Sequence, residues 1–380
     1  MSRLNAYRPS LTWLSEWPLV AIPAALALLG IVTMHTFGGE GSLAPRQLLW
    51  LVIGIGVFVG VASADLRFLR RTPVIMAGYA VSIALLVALL FFASSIQGAR
   101  SWFDLGFFTF QPSDPIKLVF IALMAKYFSR RHVEIGNFRH VIVSGAYAGV
   151  LILLILVEPD LGTAAIFGII WLGMVLVSGI PKRHLAIIFS IGLVAAAGLW
   201  TFALRDYQRD RLVSFLNPAA DIHGSGYNAY QATVAVGSGE LMGKGIGYGT
   251  QSKLQFLPEY ETDFIFASFA EEWGFVGVTL ALILFGLLIA RLLAIARRSA
   301  TNFDAFFTIG VALLFTAHVF IHAGINLGLL PVTGTTIPFM SYGGSHLIVE
   351  FAALGIVASL ARDARSVPRA AAAQNEYLGG

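Results

Sequence analysis

The stretch from Thr250 to Gly277 reads TQSKLQFLPEYETDFIFASFAEEWGFVG. Its polar half ends at Asp263, and from Phe264 an apolar run continues to about Ala296, which is long enough to cross a membrane. A carboxylate at the mouth of a membrane helix is costly unless it is exposed, paired or used. Asp263 is therefore the first candidate for a functional residue, and the alternative is that it only caps the helix.

The composition places the chain in a membrane. Of its 380 residues, 57% are hydrophobic and 12% are charged, and the mean hydropathy is +0.78, whereas soluble domains carry about 25% charged residues. Cysteine is absent, which excludes disulfides, thiolate metal sites and a cysteine nucleophile. The net charge of +4 comes from basic residues in short loops, where membrane orientation explains them, so we reject nucleic-acid binding.

Ten apolar segments predict an all-α integral membrane protein. The first is too long for the apolar part of a signal peptide, which is about 7–15 residues, so we expect an uncleaved span. The fourth is the weakest, because Lys117 and Lys126 interrupt it. The predicted spans are 18–37, 47–64, 74–93, 114–130, 140–157, 162–180, 184–204, 264–296, 303–330 and 346–361.

Basic residues predict the orientation of these spans. Seventeen Lys and Arg residues fall on one side of the ten-span arrangement, and the short loops of the other side hold only Arg46 and Arg100. The positive side is cytoplasmic, so both termini are expected in the cytoplasm. The predicted regions are a cytoplasmic segment 1–17, spans 18–204, a large extracytoplasmic loop 205–263, spans 264–361, and a disordered cytoplasmic tail 362–380.

The 59-residue loop 205–263 is the one long connection. Such connections are usually functional or disordered, and its aromatic residues favour order. Six glycines lie between Gly237 and Gly249, but Gly245 follows Lys244 where a nucleotide-binding P-loop needs serine or threonine, so we exclude an ATP site. Backbone amides with Lys244, Arg209 or Arg211 could hold a pyrophosphate. The simpler interpretation is a glycine-rich turn.

Two acidic motifs stand at the outer ends of spans. Asp114 and Lys117 are three residues apart on one helix face and can form a self-neutralised pair. Glu158 and Asp160 lie in a short outer turn, where Asp160 either caps the next helix or takes part in function.

Two further pairs of polar residues lie within spans. Glu271 and Glu272 should face the interior of the helix bundle, where they either support a site or anchor helices. His318 and His322 lack the glutamate of a zinc-protease helix, so we expect a packed or hydrogen-bonded pair of histidines rather than a metal site.

Several motifs in order give the chain a resemblance to a known family. They are GARSW (98–102), QPSDPIK (111–117), EPDLGTA (158–164), RLVSFLNP (211–218), GYNAYQ (226–231), GSGELMGKGIGYGTQ (237–251), FLPEYETDFIF (256–266), AEEWGFVG (270–277) and GLLPVTGTTIPFMSYGGS (328–345). On a ten-span frame this series resembles the SEDS proteins (shape, elongation, division and sporulation), and TQSKLQFLPE favours the elongation branch. The chain departs from the family pattern at Asp114, Glu240, Glu261, His322 and His346.

The resemblance implies a peptidoglycan glycosyltransferase that polymerises lipid II at the outer face of the bacterial cytoplasmic membrane. It places the family's essential aspartate on Asp263 and its other motif residues on Asp114, Lys117 and Asp160. It also implies as partners a class B penicillin-binding protein with a single span, other membrane proteins of the elongation complex, lipid II and the growing glycan strand. Supporting residues are expected at Arg211, Lys244, Glu259, Thr262 and Ser345.

The chemistry of glycan elongation assigns roles to these residues. An attacking hydroxyl needs a general base, and an unperturbed Asp, with a pKa of about 3.9, is a weak one. Partial burial, with Glu259 and Glu261 nearby, would raise the pKa of Asp263. Arg211, Lys117, Lys244 or a divalent cation (Mg or Mn, with unknown ligands) would stabilise the departing pyrophosphate; no organic cofactor is expected. The alternatives are a lipid II flippase, a division-type member of the family, or a non-catalytic scaffold.

Overall fold

The computed structural model describes residues 16–35, 43–93, 101–104, 106, 109–131, 137–204, 206–216, 225–254 and 256–366. The helices are α1 Pro18–His35, α2 Leu43–Ser63, α3 Thr72–Phe92, α4 Ser113–Arg131, α5 Phe138–Val157, α6 Leu161–Val177, α7 Lys182–Gly198, α8 Asp206–Leu216, α9 Ser225–Ser238, α10 Thr250–Lys253, α11 Ile265–Arg298, α12 Asn302–Asn326 and α13 Gly344–Ser366. A short hairpin that the sequence did not predict pairs β1 Phe103–Asp104 with β2 Thr109–Phe110.

Each of the ten predicted spans coincides with one helix, namely α1 to α7 and α11 to α13. Eight helices in the described part of the chain are long and apolar enough to cross a membrane. The other two are α4, which carries five charged residues, and α6, which has only 17 residues. The predicted segments 1–17 and 362–380 lie mostly outside the described residues.

Helix α12 forms the centre of the bundle and packs against α4, α6, α11 and α13. Lipid tails are as apolar as the side chains, so close fit rather than water exclusion holds such helices together. At Gly310 of α12 a Cβ would lie only 2.5 Å from Ile121 of α4, and at Gly54 of α2 only 2.7 Å from Phe351 of α13. The absence of a side chain at these glycines sets the helix spacing.

Ion pairs join the helices at the end of the bundle opposite to Asp263. Arg70 donates two hydrogen bonds to the buried carboxylate of Asp304, at 3.0 and 2.9 Å. Lys126 donates to the Arg70 carbonyl oxygen at 2.6 Å. Arg291 pairs with Glu16 at 2.6 Å. Charge-assisted bonds of this kind fix the helix ends that the sequence predicts to be cytoplasmic.

The span predicted at 264–296 is not one continuous helix. Gly274 has φ 66° and ψ −169°, a conformation outside the helical region, and it divides α11 into Ile265–Trp273 and Phe275–Arg298. The predicted span coincides with α11, but its break was not predicted, because hydropathy does not detect a change in backbone direction. The first half, which follows Asp263 directly, is almost entirely buried.

The glycine-rich segment 239–249 fills the break in α11. A helix end leaves backbone groups without intrahelical partners. At this break the segment 239–249 supplies hydrogen-bond partners for four such groups. Because residues 239–249 hydrogen-bond backbone groups on both sides of the break, the glycine-rich segment has a structural role. The four bonds are Lys244 N to Glu271 O (2.9 Å), Gly245 N to Glu272 O (3.1 Å), Phe275 N to Glu240 O (2.9 Å) and Val276 N to Leu241 O (3.1 Å).

Candidate active site

Asp263 lies in a tight turn that immediately precedes α11. The backbone N–H groups of Thr262, Asp263 and Phe264 all donate to the carbonyl oxygen of Glu259, at 3.2, 3.0 and 3.1 Å. Glu259 itself has φ +50°, a left-handed conformation that is uncommon for a residue with a side chain. The Thr262 hydroxyl donates to Glu259 Oε2 at 3.2 Å. Thr262 and Glu259 therefore shape the turn that presents Asp263.

The segment 331–343, between α12 and α13, covers this turn. Ser341 Oγ donates to the Thr262 carbonyl oxygen at 2.8 Å, and Tyr342 N–H donates to the Glu261 carbonyl oxygen at 2.9 Å. Gly334, with φ +72°, comes so close that a Cβ there would lie 3.6 Å from Asp263 Oδ2. The contribution of Ser341 and Gly334 was missed from sequence, although both lie in the quoted motif 328–345.

The surroundings of Asp263 change the acidity of its carboxyl group. Burial and the nearby Glu259 carboxylate raise the pKa of Asp263 to about 7, with Asp160 adding to the effect and the Arg211 guanidinium opposing it. A carboxyl with this pKa is partly ionised near neutrality, where an ordinary aspartate would already be fully ionised and a poor base. The expected rise in the pKa of Asp263 agrees with the structure.

A small cleft of about 30 Å³ lies between α8, the turn that joins α5 to α6, and the start of the segment 331–343. Helix α8 lies over it, since Gln208 Nε2 donates to the Pro159 carbonyl oxygen at 3.3 Å. Arg211 lines the cleft and acts electrostatically on Asp263, so it is the predicted cation that the structure brings to this residue. The lining residues are Pro159, Leu161, Gln208, Arg211, Leu212, Pro331, Val332 and Thr333.

The turn between α5 and α6 contributes two carboxyl groups. Asp160 caps α6, because its Oδ1 accepts from Thr163 N–H at 2.9 Å, as one of the two sequence interpretations expects. Burial raises the pKa of Asp160 despite that bond. Burial and the Asp160 charge raise the pKa of Glu158 to about 8, and Glu158 is only 1% exposed. Glu158 is therefore mainly protonated at neutral pH.

Asp114 and Lys117 form the predicted pair, at 2.9 Å, inside a larger buried cluster. His346 Nδ1 lies 3.1 Å from Asp114 Oδ1, and His346 Nε2 lies 3.0 Å from Glu350 Oε1. Lys117 Nζ also lies 3.3 Å from His318 Nε2. Lys117 is 4% exposed, so its ammonium group is enclosed by protein. The sequence did not indicate Glu350 or the cluster.

Lys244 lies away from Asp263 and has a structural partner. Its ammonium group contacts the fully buried carboxylate of Glu271 at 2.7 Å and Thr250 Oγ1 at 2.9 Å. Glu271 also accepts from the Thr250 N–H at 2.8 Å. The prediction that Lys244 binds a pyrophosphate therefore finds no support in this geometry, whereas the interpretation of Glu271 as an anchor does.

Ser345 and the histidines of α12 have different surroundings. Ser345 lies in the first turn of α13. His318 and His322 each bond a backbone carbonyl of the segment 331–343, Thr336 O at 3.1 Å and Thr335 O at 2.7 Å. The prediction of hydrogen-bonded histidines is confirmed.

The fold and the site define a polytopic integral membrane protein with a cluster of carboxyl groups at one end of its bundle. Residues 12–366 match the family described as "Cell cycle protein", that of FtsW, RodA and SpoVE. The chain belongs to this family, which is the SEDS family that its motifs predicted.

The relatives of the chain include proteins of known activity. It is 37% identical, over 90% of this chain and 92% of the relative, to "Peptidoglycan glycosyltransferase MrdB" of Escherichia coli K12. It also matches a solved structure described as "Structural coordination of polymerization and crosslinking by a peptidoglycan synthase complex", with a TM-score of 0.78 and 32% identity over 92% of this chain and 98% of that one. The crystal structure of the rod shape determining protein RodA of Thermus thermophilus gives a TM-score of 0.69 and 32% identity over 91% and 96% of the two chains.

Proposed function

We propose that this protein is a peptidoglycan glycosyltransferase that polymerises lipid II into glycan strands during cell elongation, at the outer face of the bacterial cytoplasmic membrane. Its relatives and family favour this reaction. The observation that carries the residue assignment is the Asp263 carboxyl group, which has a pKa of about 7 and lies within electrostatic reach of Arg211, a residue that lines the cleft. Both termini would lie in the cytoplasm, as the distribution of basic residues predicts.

In the proposed reaction, the C4 hydroxyl oxygen of one lipid-linked sugar attacks the anomeric carbon of another. Asp263 accepts the hydroxyl proton as the new C–O bond forms, and the bond from the anomeric carbon to the pyrophosphate oxygen breaks with its electron pair. Arg211 stabilises the negative charge of the departing polyprenyl pyrophosphate. A positioned base typically contributes about 10²–10⁴-fold to the rate.

The predicted divalent cation finds no dedicated protein site in the described part of the chain. These residues hold no group of three or more His, Asp or Glu side chains arranged to bind a metal ion. Mg²⁺ usually keeps several waters and binds through one or two carboxylates together with substrate phosphates. A divalent cation would therefore arrive with the pyrophosphate of the substrate.

A transpeptidase partner would complete the activity. We propose a class B penicillin-binding protein with a single span, together with other membrane proteins of the elongation complex. A similar solved chain belongs to a complex that coordinates polymerization and crosslinking, which supports a partner of this kind.

Purified protein in detergent with lipid II, Mg²⁺ and a partner transpeptidase tests the function. We expect glycan strands on a gel, and no strands when the protein is omitted. If the protein makes no strands but moves labelled lipid II across liposomes, it is a flippase and the proposal is wrong. Strands formed equally well by the partner alone would make the protein a scaffold.

The pH dependence of polymerisation should follow the pKa of Asp263. Because the base must be unprotonated, activity is expected to fall as the pH drops through about 7. Glu259 raises this pKa, so Glu259→Gln should move the acid limb of kcat/KM to lower pH. The measurement is initial rate against pH between about 5 and 9 for both proteins. An acid limb near pH 4 in the wild type would contradict the assignment.

A further inference from the structure

A buried asparagine on α12 holds the backbone on both sides of the point where α11 begins. Asn326 is the last residue of α12 and is fully buried. Its Nδ2 donates to the Asp263 carbonyl oxygen at 3.0 Å and to the His322 carbonyl oxygen at 2.8 Å. Its Oδ1 accepts from the Ala267 N–H at 3.0 Å. One side chain thus links α12 to Asp263, in the turn before α11, and to Ala267 in the first turn of α11.

The partners determine the orientation of this amide group. The two carbonyl oxygens, of Asp263 and His322, require donors, and the Ala267 N–H requires an acceptor. Rotating the amide by half a turn would place Oδ1 against the two carbonyl oxygens and Nδ2 against the Ala267 N–H. In a fully buried position no water can replace the lost bonds, so a single orientation is available.

Asn326 supplies a side-chain acceptor to the first turn of α11, which the cap residue of that helix does not. The residue at the cap position of α11, Phe264, offers no side-chain acceptor to the first turn, and such a turn has N–H groups without intrahelical partners. Asn326 satisfies one of them from another helix. It simultaneously fixes the Asp263 carbonyl group, and with it the direction in which the Asp263 side chain leaves the backbone.

The same helix end also restrains the opposite side of Asp263. One turn before Asn326, the ring of His322 bonds the Thr335 carbonyl oxygen at 2.7 Å. Thr335 follows Gly334, the residue that approaches the Asp263 carboxylate. The end of α12 therefore sets both the backbone that carries the carboxylate and the segment that faces it.

We propose that Asn326 is a positioning residue for the glycosyl transfer, acting by holding the Asp263 carboxyl group in place relative to Arg211 and the segment 331–343. This inference rests on the proposed function. It assigns a role to an amide that the sequence motifs did not single out. A misplacement of about 1 Å at a reacting group can cost about 10²-fold in rate, so loss of this restraint should lower kcat while leaving substrate binding nearly intact.

The main test is Asn326→Leu, which keeps a similar volume but removes all three hydrogen bonds. We expect kcat for lipid II polymerisation to fall about 10-fold or more, with KM changed by less than about 2-fold. The acid limb of the kcat profile should also move, because the carboxyl group shifts relative to Glu259. Asn326→Asp keeps the shape but retains at most one donor, the O–H of a protonated carboxyl group, so at least one of the bonds to Asp263 and His322 is lost and kcat is again expected to fall.

The matched control is Thr308→Val, a change in the same helix about 27 Å away. Thr308 is fully buried and donates to the Asp304 carbonyl oxygen at 2.8 Å, so the variant loses a buried hydrogen bond without touching the site. Its kcat and pH profile should equal those of the wild type. Melting temperatures of all variants, measured in the same detergent, separate folding losses from rate losses.

The outcomes distinguish this inference from the function on which it rests. Suppose that the wild type makes strands and Asp263→Asn makes none. If folded Asn326→Leu and Asn326→Asp then keep the wild-type kcat, only the positioning role is wrong. It is also wrong if neither variant folds, because Asn326 is then structural, or if KM alone changes. If wild type makes no strands, or Asp263→Asn is fully active, the base assignment fails and the inference fails with it.

Discussion

Asp263→Asn should abolish glycan polymerisation while leaving the fold intact. Asparagine has nearly the shape of aspartate but cannot accept the hydroxyl proton, so we expect a loss of about 10²–10⁴-fold in the rate of strand formation. The reason the fold should survive is electrostatic. Burial raises the pKa of Asp263, so keeping this carboxyl ionised above pH 7 costs folding free energy, and a neutral amide removes that cost.

The measurement compares strand formation from lipid II with melting temperature, for wild type and variant in the same detergent. Asp65→Asn is the matched control, since it makes the same change at a half-exposed carboxylate on the opposite side of the bundle, beside Arg67. The control should polymerise at the wild-type rate. Equal product from the wild type and from a folded Asp263→Asn protein would remove Asp263 as the base. A variant that melts well below wild type would instead make Asp263 a structural residue.

The parts of this fold that depend on local sequence could be predicted, and those that depend on distant contacts could not. Apolar runs are a property of neighbouring residues, and they located ten helices, eight of which are long and apolar enough to cross a membrane. The change from polar to apolar sequence at Asp263 is likewise local. Nothing near Asn326 in the chain indicates that its amide reaches Asp263, because that contact joins residues 63 positions apart.

The buried cluster around Lys117 illustrates the same limit. The pair with Asp114 follows from a spacing of three residues on one helix, and the structure has it at 2.9 Å. His346 and Glu350 enter the cluster from α13, and only the packing of α13 beside α4 brings them there. For Lys244 the local sequence predicted a site that the structure does not support. A lysine among glycines suggested an anion site, whereas its ammonium group pairs with the buried carboxylate of Glu271.

Gly274→Ala should strongly destabilise the protein, because the break in α11 requires glycine. With φ 66° and ψ −169°, the residue occupies a region that is essentially restricted to glycine, and forcing a side chain into it costs about 1–3 kcal/mol. The new methyl group would in addition meet the Leu241 carbonyl oxygen at 2.7 Å and the backbone of Gly243. Relieving that clash would displace the segment 239–249 and break its hydrogen bonds to the backbone on both sides of Gly274.

Gly286→Ala in the same helix separates this effect from a general intolerance of substitution. A Cβ at Gly286 meets nothing within 4 Å, and alanine is the better helix former by about 1 kcal/mol, so this variant should melt at or slightly above the wild-type temperature. Gly274→Ala should melt lower by roughly 5 °C or more and lose polymerase activity, since the half-helix that it releases begins directly after Asp263. Equal melting temperatures for the two variants would mean that α11 is continuous at Gly274 and that Glu271 and the glycine-rich segment do not hold the half-helix in place.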